Sequence, residues 1–236
     1  MSLRTYFGTL LFSAALVLSA RGGLIINEMD SDSVNTPTTD AFEFVELYDT
    51  SGTSVPLDGY SLVFYNGNGN VVYRAEDLDG LTTRVNGYFI AGSIAGAERV
   101  IPGNIIQNGV DAVALYLGNA IDFPNGQLVT APPAGATLID AVVYKTGPDV
   151  DGVGLAAALL VAGGVVDEFG RDGLAATGAV DSIGRFPNAS GGLRDTTTWT
   201  FMVPTPGASN GEIPEPASAL LLTVAGAILV YVRRRR

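Results

Sequence analysis

Residues 60–76 read Tyr60-Ser61-Leu62-Val63-Phe64-Tyr65-Asn66-Gly67-Asn68-Gly69-Asn70-Val71-Val72-Tyr73-Arg74-Ala75-Glu76. Two runs rich in β-branched and aromatic residues flank a Gly-Asn-Gly turn. Asparagine and glycine tolerate the positive φ of tight hairpin turns, so the stretch predicts a strand over 60–66 returning antiparallel over 71–76. The same punctuation recurs along the chain, with Asn-Gly at Asn66, Asn68, Asn86, Asn108, Asn125 and Asn210. Between these turns further strands are expected over 24–29, 42–49, 88–91, 112–117, 138–145 and 199–203. Eight short strands with few helical patterns favour an all-β, antiparallel β-sandwich over a parallel α/β sheet.

Alternation does not choose the core face. Leu62 and Phe64 share one side of their strand, and Ser61, Val63 and Tyr65 the other. In the 42–47 run, Phe42, Phe44 and Glu46 oppose Glu43, Val45 and Leu47, so both sides mix apolar with acidic residues. One alanine-rich stretch, 154–161, predicts a two-turn helix closed by Gly163-Gly164, read as an insert packed on one end of the sandwich. No repeat of solenoid or propeller period occurs. The Pro-rich stretch from Pro204 to Pro216 predicts an extended stalk.

Composition narrows the chemistry. The 236 residues include no Cys and no His, which excludes a disulfide framework, thiolate metal sites, cysteine nucleophiles and the Ser-His-Asp triad. The formal net charge is −11. Setting aside Arg4, Glu215 and the four C-terminal arginines leaves 8 basic against 23 acidic residues, about −15 for the central part. Such a surface repels phosphate backbones, so nucleic acid is not an expected partner.

The two ends read as addresses. Arg4, an apolar run over 10–18 and Ser19-Ala20 have the parts of a secretory signal peptide, assigned to residues 1–20. At the other end Pro214, Glu215 and Pro216 precede sixteen uncharged residues, 217–232, and then Arg233, Arg234, Arg235 and Arg236. As a helix those sixteen residues span about 24 Å, slightly less than a bilayer core, with Tyr231 at the interface and the arginines cytoplasmic. A plain tail anchor is one reading of this transmembrane helix. The order Pro-Glu-Pro, apolar helix, arginine cluster also resembles the PEP-CTERM sorting signal of Gram-negative bacteria. That resemblance implies an inner-membrane intermediate, processing by an exosortase, and release to the cell surface or extracellular matrix. The organisation expected is therefore 1–20 signal peptide, 21–203 β-sandwich, 204–213 linker and 214–236 sorting signal.

A second resemblance covers the central part. Leu24-Ile25-Ile26-Asn27-Glu28, Phe42-Glu43-Phe44-Val45-Glu46-Leu47-Tyr48 and Leu57-Asp58-Gly59-Tyr60-Ser61-Leu62 occur in order. They are followed by Asp140-Ala141-Val142-Val143-Tyr144, Ser182-Ile183-Gly184-Arg185 and Thr205-Pro206-Gly207-Ala208-Ser209-Asn210. Together these strings resemble the bacterial lamin-tail domain. The resemblance implies an immunoglobulin-like sandwich serving as a binding or structural module. This chain departs from that pattern by inserts around 30–40 and 121–135 and by the alanine-rich segment.

Few side chains offer chemistry. Asp30, Asp32, Asp40 and Glu43 form an acidic loop running into a strand, a donor type suited to Ca²⁺, which takes six to eight oxygens. Their spacing lacks the glycine and terminal glutamate of an EF-hand, and a solvated acidic loop is the plain alternative. Asp149, Asp151, Asp167 and Glu168, with Asp172 nearby, form a second group of this kind. Glu43 and Glu46 lie three apart on a strand and so face opposite sides, which rules them out as a close acid–base pair. Lys145, the one lysine, reads as a strand terminus, and Trp199, the one tryptophan, as a core residue. The sequence thus points to an exported, non-catalytic surface or matrix protein needing no cofactor beyond a possible Ca²⁺. Its expected partners are an exosortase and an extracellular polymer or surface protein. A carboxylate-dependent polysaccharide hydrolase and a Ca²⁺-dependent adhesion module are the alternatives.

Overall fold

The first hairpin forms where the turn residues place it. Gly69 and Asn70 both take positive φ, +96° and +54°, which reverses the chain between Tyr60–Asn66 and Val71–Asp77. In the computed structural model, residues 23–31, 42–103, 105–146, 152–168 and 182–211 are described. Residues 1–20 and 214–236, where a signal peptide and a sorting signal with a transmembrane helix are expected, lie outside them.

The strands are β1 (Leu24–Asp30), β2 (Phe44–Asp49), β3 (Tyr60–Asn66), β4 (Val71–Asp77), β5 (Tyr88–Gly92) and β6 (Arg99–Val100). They continue with β7 (Val110–Leu117), β8 (Thr137–Lys145), β9 (Val166–Asp167), β10 (Ser182–Arg185) and β11 (Trp199–Met202). Among the described residues one α-helix, α1 (Val153–Leu159), sits between β8 and β9. All eight expected strands are present. They form a β-sandwich of two sheets, one ordered β11-β10-β1-β2-β5-β6 and the other β4-β3-β7-β8-β9. Both sheets are antiparallel except at one edge each, where β5–β6 and β8–β9 pair in parallel.

The inner faces meet in one apolar layer. Ile26, Met29, Val45, Leu47, Phe89 and Ile183 of the first sheet pack with Leu62, Phe64, Val113, Leu115, Val142 and Tyr144 of the second. Burying a side chain of this size stabilises the fold by roughly 1.5–3 kcal/mol. The outer face of the second sheet is buried as well. Val63, Tyr65, Ala112, Ala114, Tyr116 and Val143 lie beneath Leu155 and Leu159 of α1 and beneath Phe123 and Val129. The helix therefore covers a face of the sandwich, not an end, because Leu155 and Leu159 are four apart and project together. Within this layer the Tyr65 hydroxyl donates to that of Tyr116 at 3.0 Å.

The outer face of the first sheet has a different cover. Residues 204–211, expected to begin an extended stalk, fold back over β1 and β2, and Asn210 is buried. Prolines disfavour regular structure but do not prevent docking where a sheet supplies acceptors. Here two buried carboxylates supply them.

Candidate functional site

The site grows from an irregularity in β1. The pairing of β1 with β2 shifts register between Ile26 and Glu28, a β-bulge at Asn27. Ile26 and Met29 both enter the inner core. The extra residue therefore sends Asn27 and Glu28 together to the outer face. Glu28 stands directly opposite Glu46 of β2, and both are fully buried.

Five hydrogen-bond donors hold these carboxylates. Glu28 Oε1 accepts from Ser182 Oγ at 2.6 Å and from Thr205 N at 2.8 Å, and its Oε2 from Thr205 Oγ1 at 2.7 Å. Glu46 Oε1 accepts from Asn27 Nδ2 at 2.8 Å, and its Oε2 from Gly207 N at 2.5 Å. None of these donors is cationic. Burial pushes Glu46 up to about 8, the charge of Glu28 adds to this, and the bonds from Asn27 and Gly207 and the field of Arg84 oppose it. Burial raises Glu28 as well, against its bonds to Ser182 and Thr205. Like charges directly across a ladder repel, so one proton between the pair relieves both the repulsion and the desolvation.

A ring of amides closes the assembly. Asn27 Nδ2 also lies 3.0 Å from Asn188 Oδ1 and 3.2 Å from Asn210 Oδ1, and Asn27 Oδ1 accepts from Ala189 N. Asn210 Nδ2 donates to the carbonyls of Asn27 and Arg185, both at 3.0 Å. Gly184 of β10 lies directly below; a Cβ there would stand 2.8 Å from Asn210 Nδ2 and 3.0 Å from the Asn27 carbonyl. Only glycine admits this approach.

On the inner face behind this network, Arg185 of β10 meets Asp140 of β8. The two side chains are fully buried, and Arg185 Nη2 lies 2.9 and 3.1 Å from the carboxylate oxygens. Arg185 Nε donates to the Ile26 carbonyl, and its Nη1 donates to the carbonyls of Ser190 and Gly192. Asp140 also accepts from the backbone N–H of Ile26, Ala141 and Arg194. Burial raises Asp140; Arg185 and these N–H groups pull it back toward the charged form. The guanidinium lies 5.5 Å from the centre of the buried Trp199 ring. This buried ion pair joins the two sheets, and the surrounding backbone N–H and carbonyl groups take up its remaining acceptors and donors.

The acids singled out in the sequence lie elsewhere. Asp30 ends β1 and is buried, and Glu43, also buried, accepts from Ile105 N and Ile106 N through Oε2. Glu43 and Glu46 thus engage separate partners. Asp167 pairs with Lys145 at 3.2 Å, and Glu168 accepts from Ser31 Oγ at 2.7 Å. Ser31 follows Asp30, so this bond brings parts of the two acidic groups to the same end of the sandwich. Asp32, Asp40, Asp149, Asp151 and Asp172 lie outside the described residues. Among the described residues no three acids are grouped to hold a metal ion.

The network's members were not singled out as site residues in the sequence, apart from Glu46, weighed and set aside as an acid–base partner. A signal for them existed nonetheless. Asn27, Glu28, Glu46, Asp140, Ser182, Arg185, Thr205, Gly207 and Asn210 all fall within the six strings quoted above from the sequence, and Asn188 does not. Strings scattered over nearly the whole described chain meet at one place. No family model, curated protein or solved structure matches the chain.

Proposed function

We propose that this chain is an exported, non-catalytic bacterial surface or matrix protein whose immunoglobulin-like, lamin-tail-type domain is a binding or structural module. The observation that carries the reading is the order Pro214-Glu215-Pro216, uncharged 217–232, Arg233 to Arg236. A membrane-spanning tail with cytoplasmic arginines leaves the β-sandwich on the outer side of the inner membrane. An exosortase then removes the tail and delivers the domain to an extracellular polymer or a surface protein. Support for a module rather than a hydrolase comes from Glu28 and Glu46, whose carboxylate oxygens are each taken by the protein's own donors. A glycosidase needs two carboxyl groups open to a sugar, about 5–9.5 Å apart.

The test is cellular. The full chain is expressed in a host with and without its exosortase, fractionated, and its C-terminal residue determined by mass spectrometry. An extracellular form lacking the 217–236 tail only when the exosortase is present is the expected result. An intact tail in the inner membrane of both strains overturns the sorting reading and leaves a plain anchor.

A further inference from the structure

The segment 204–211 supplies three of the five donors to the buried carboxylates: Thr205 N, Thr205 Oγ1 and Gly207 N. It brings no cation to them. The remaining two donors, Ser182 Oγ and Asn27 Nδ2, belong to the sheet itself and stay when the segment lifts. Lifting it therefore removes most of the hydrogen bonding and opens both carboxylates to water.

We propose that residues 204–211 are a proton-linked latch: docking them over Glu28 and Glu46 takes up a proton, and releasing them gives it back. The groups facing Glu46 are few. Glu28 faces it from β1, Tyr88 from β5, and Arg84 from the loop before β5. Arg84 is already engaged with Glu98 at 2.6 Å, and Glu98 also accepts from Ile90 N. The segment itself contributes Thr205, Pro206, Gly207, Ala208, Ser209 and Asn210, none of which titrates as a side chain in this range. Arg185 projects from the other face of β10 onto Asp140. Among the described residues, no cation other than Arg84 thus stands to replace the proton when the latch is closed. In water each carboxylate returns to its ordinary range, so rising pH favours the open latch and falling pH the closed one. The segment leads directly to Pro214, so the state of the latch sets whether the chain preceding that motif is held against the sandwich or free. The inference does not depend on how the tail is processed.

The experiment is hydrogen–deuterium exchange of the full chain between pH 5.5 and 8.5, corrected for the intrinsic pH dependence of exchange. It follows peptides covering 204–211, with 112–117 of β7 as an internal reference. In the wild type, protection of 204–211 relative to 112–117 is expected to fall by at least tenfold between pH 6 and pH 8, one proton allowing at most about tenfold per pH unit. Glu46→Gln, which removes this group's titration, should leave 204–211 docked with a fall clearly smaller than the wild type's, the remainder coming from Glu28. Glu28→Gln removes the opposing charge and should move the fall to lower pH. A wild-type profile flat between pH 6 and 8 overturns the proposal without recourse to any variant, as does a fall of equal size in Glu46→Gln.

Discussion

Glu28 and Glu46 face each other across the β1–β2 ladder on a surface that an ordinary sandwich leaves to water, and here both are buried. The bulge at Asn27 turns Glu28 outward, and the segment after β11 seals the pair. This relationship makes the C-terminal end of the described chain part of the domain.

Global stability should follow the proton held at this pair. Glu46 is raised from the ordinary 4.5 to about 8. Between those values the folded chain keeps a proton that the unfolded chain has released. Stability is therefore greatest below about pH 4.5 from this group, falls as pH rises toward 8 and levels off above, by up to about 1.4 kcal/mol per pH unit. Glu28, raised in the same direction, acts with the same sign. Urea denaturation at pH 5, 6, 7 and 8 checks this; the slope should be clearly shallower in Glu46→Gln, and equal slopes would rule the assignment out.

The Asp140–Arg185 pair should behave as a buried pair does when one partner is removed. Arg185→Met leaves Asp140 buried with only backbone donors and frees the carbonyls of Ile26, Ser190 and Gly192. A loss of about 3–5 kcal/mol is expected, with Asp140→Leu combined with Arg185→Met recovering part of it. A double-mutant cycle by chemical denaturation measures the coupling. A single variant within 1 kcal/mol of wild type would show that the pair contributes little.

The folded domain should extend beyond residue 203. Chains ending at 203 lose Thr205, Gly207 and Asn210 and leave the Glu28–Glu46 pair without most of its donors. Compared with chains ending at 211, they should melt at least about 5 °C lower, which for a domain of this size corresponds to somewhat more than 1 kcal/mol. Differential scanning calorimetry of the two lengths decides it; equal melting temperatures would place the domain boundary at 203.

The strands were legible because β-branched and aromatic runs between Asn-Gly turns state both period and punctuation. β6 and β9 carry no such signal, being two residues each and existing only because a neighbouring edge accepts them in parallel. β10, Ser-Ile-Gly-Arg, has one strong strand former and is held by its pairing with β1 and by Arg185 reaching Asp140. The helix was visible in the alanines of 154–161, but not the face it covers, since that depends on the apolar outer side chains of β3, β7 and β8. Glu46 on a strand reads as a solvent-facing acid unless one knows what lies above it.

Local chemistry along the chain determined the class of fold, the hairpin and the lack of His and Cys reactions. Each of these rests on residues near one another in sequence, whose conformational preferences and composition act without distant partners. Tertiary structure alone decided that both faces of both sheets have buried residues, that residues 204–211 dock instead of extending, and that Glu28 and Glu46 share one site. Those outcomes depend on pairing register and on contacts between residues more than 150 positions apart, such as Glu28 with Thr205 and Glu46 with Gly207. A bulge of one residue reverses which face a side chain joins, and no local propensity encodes what will then cover it.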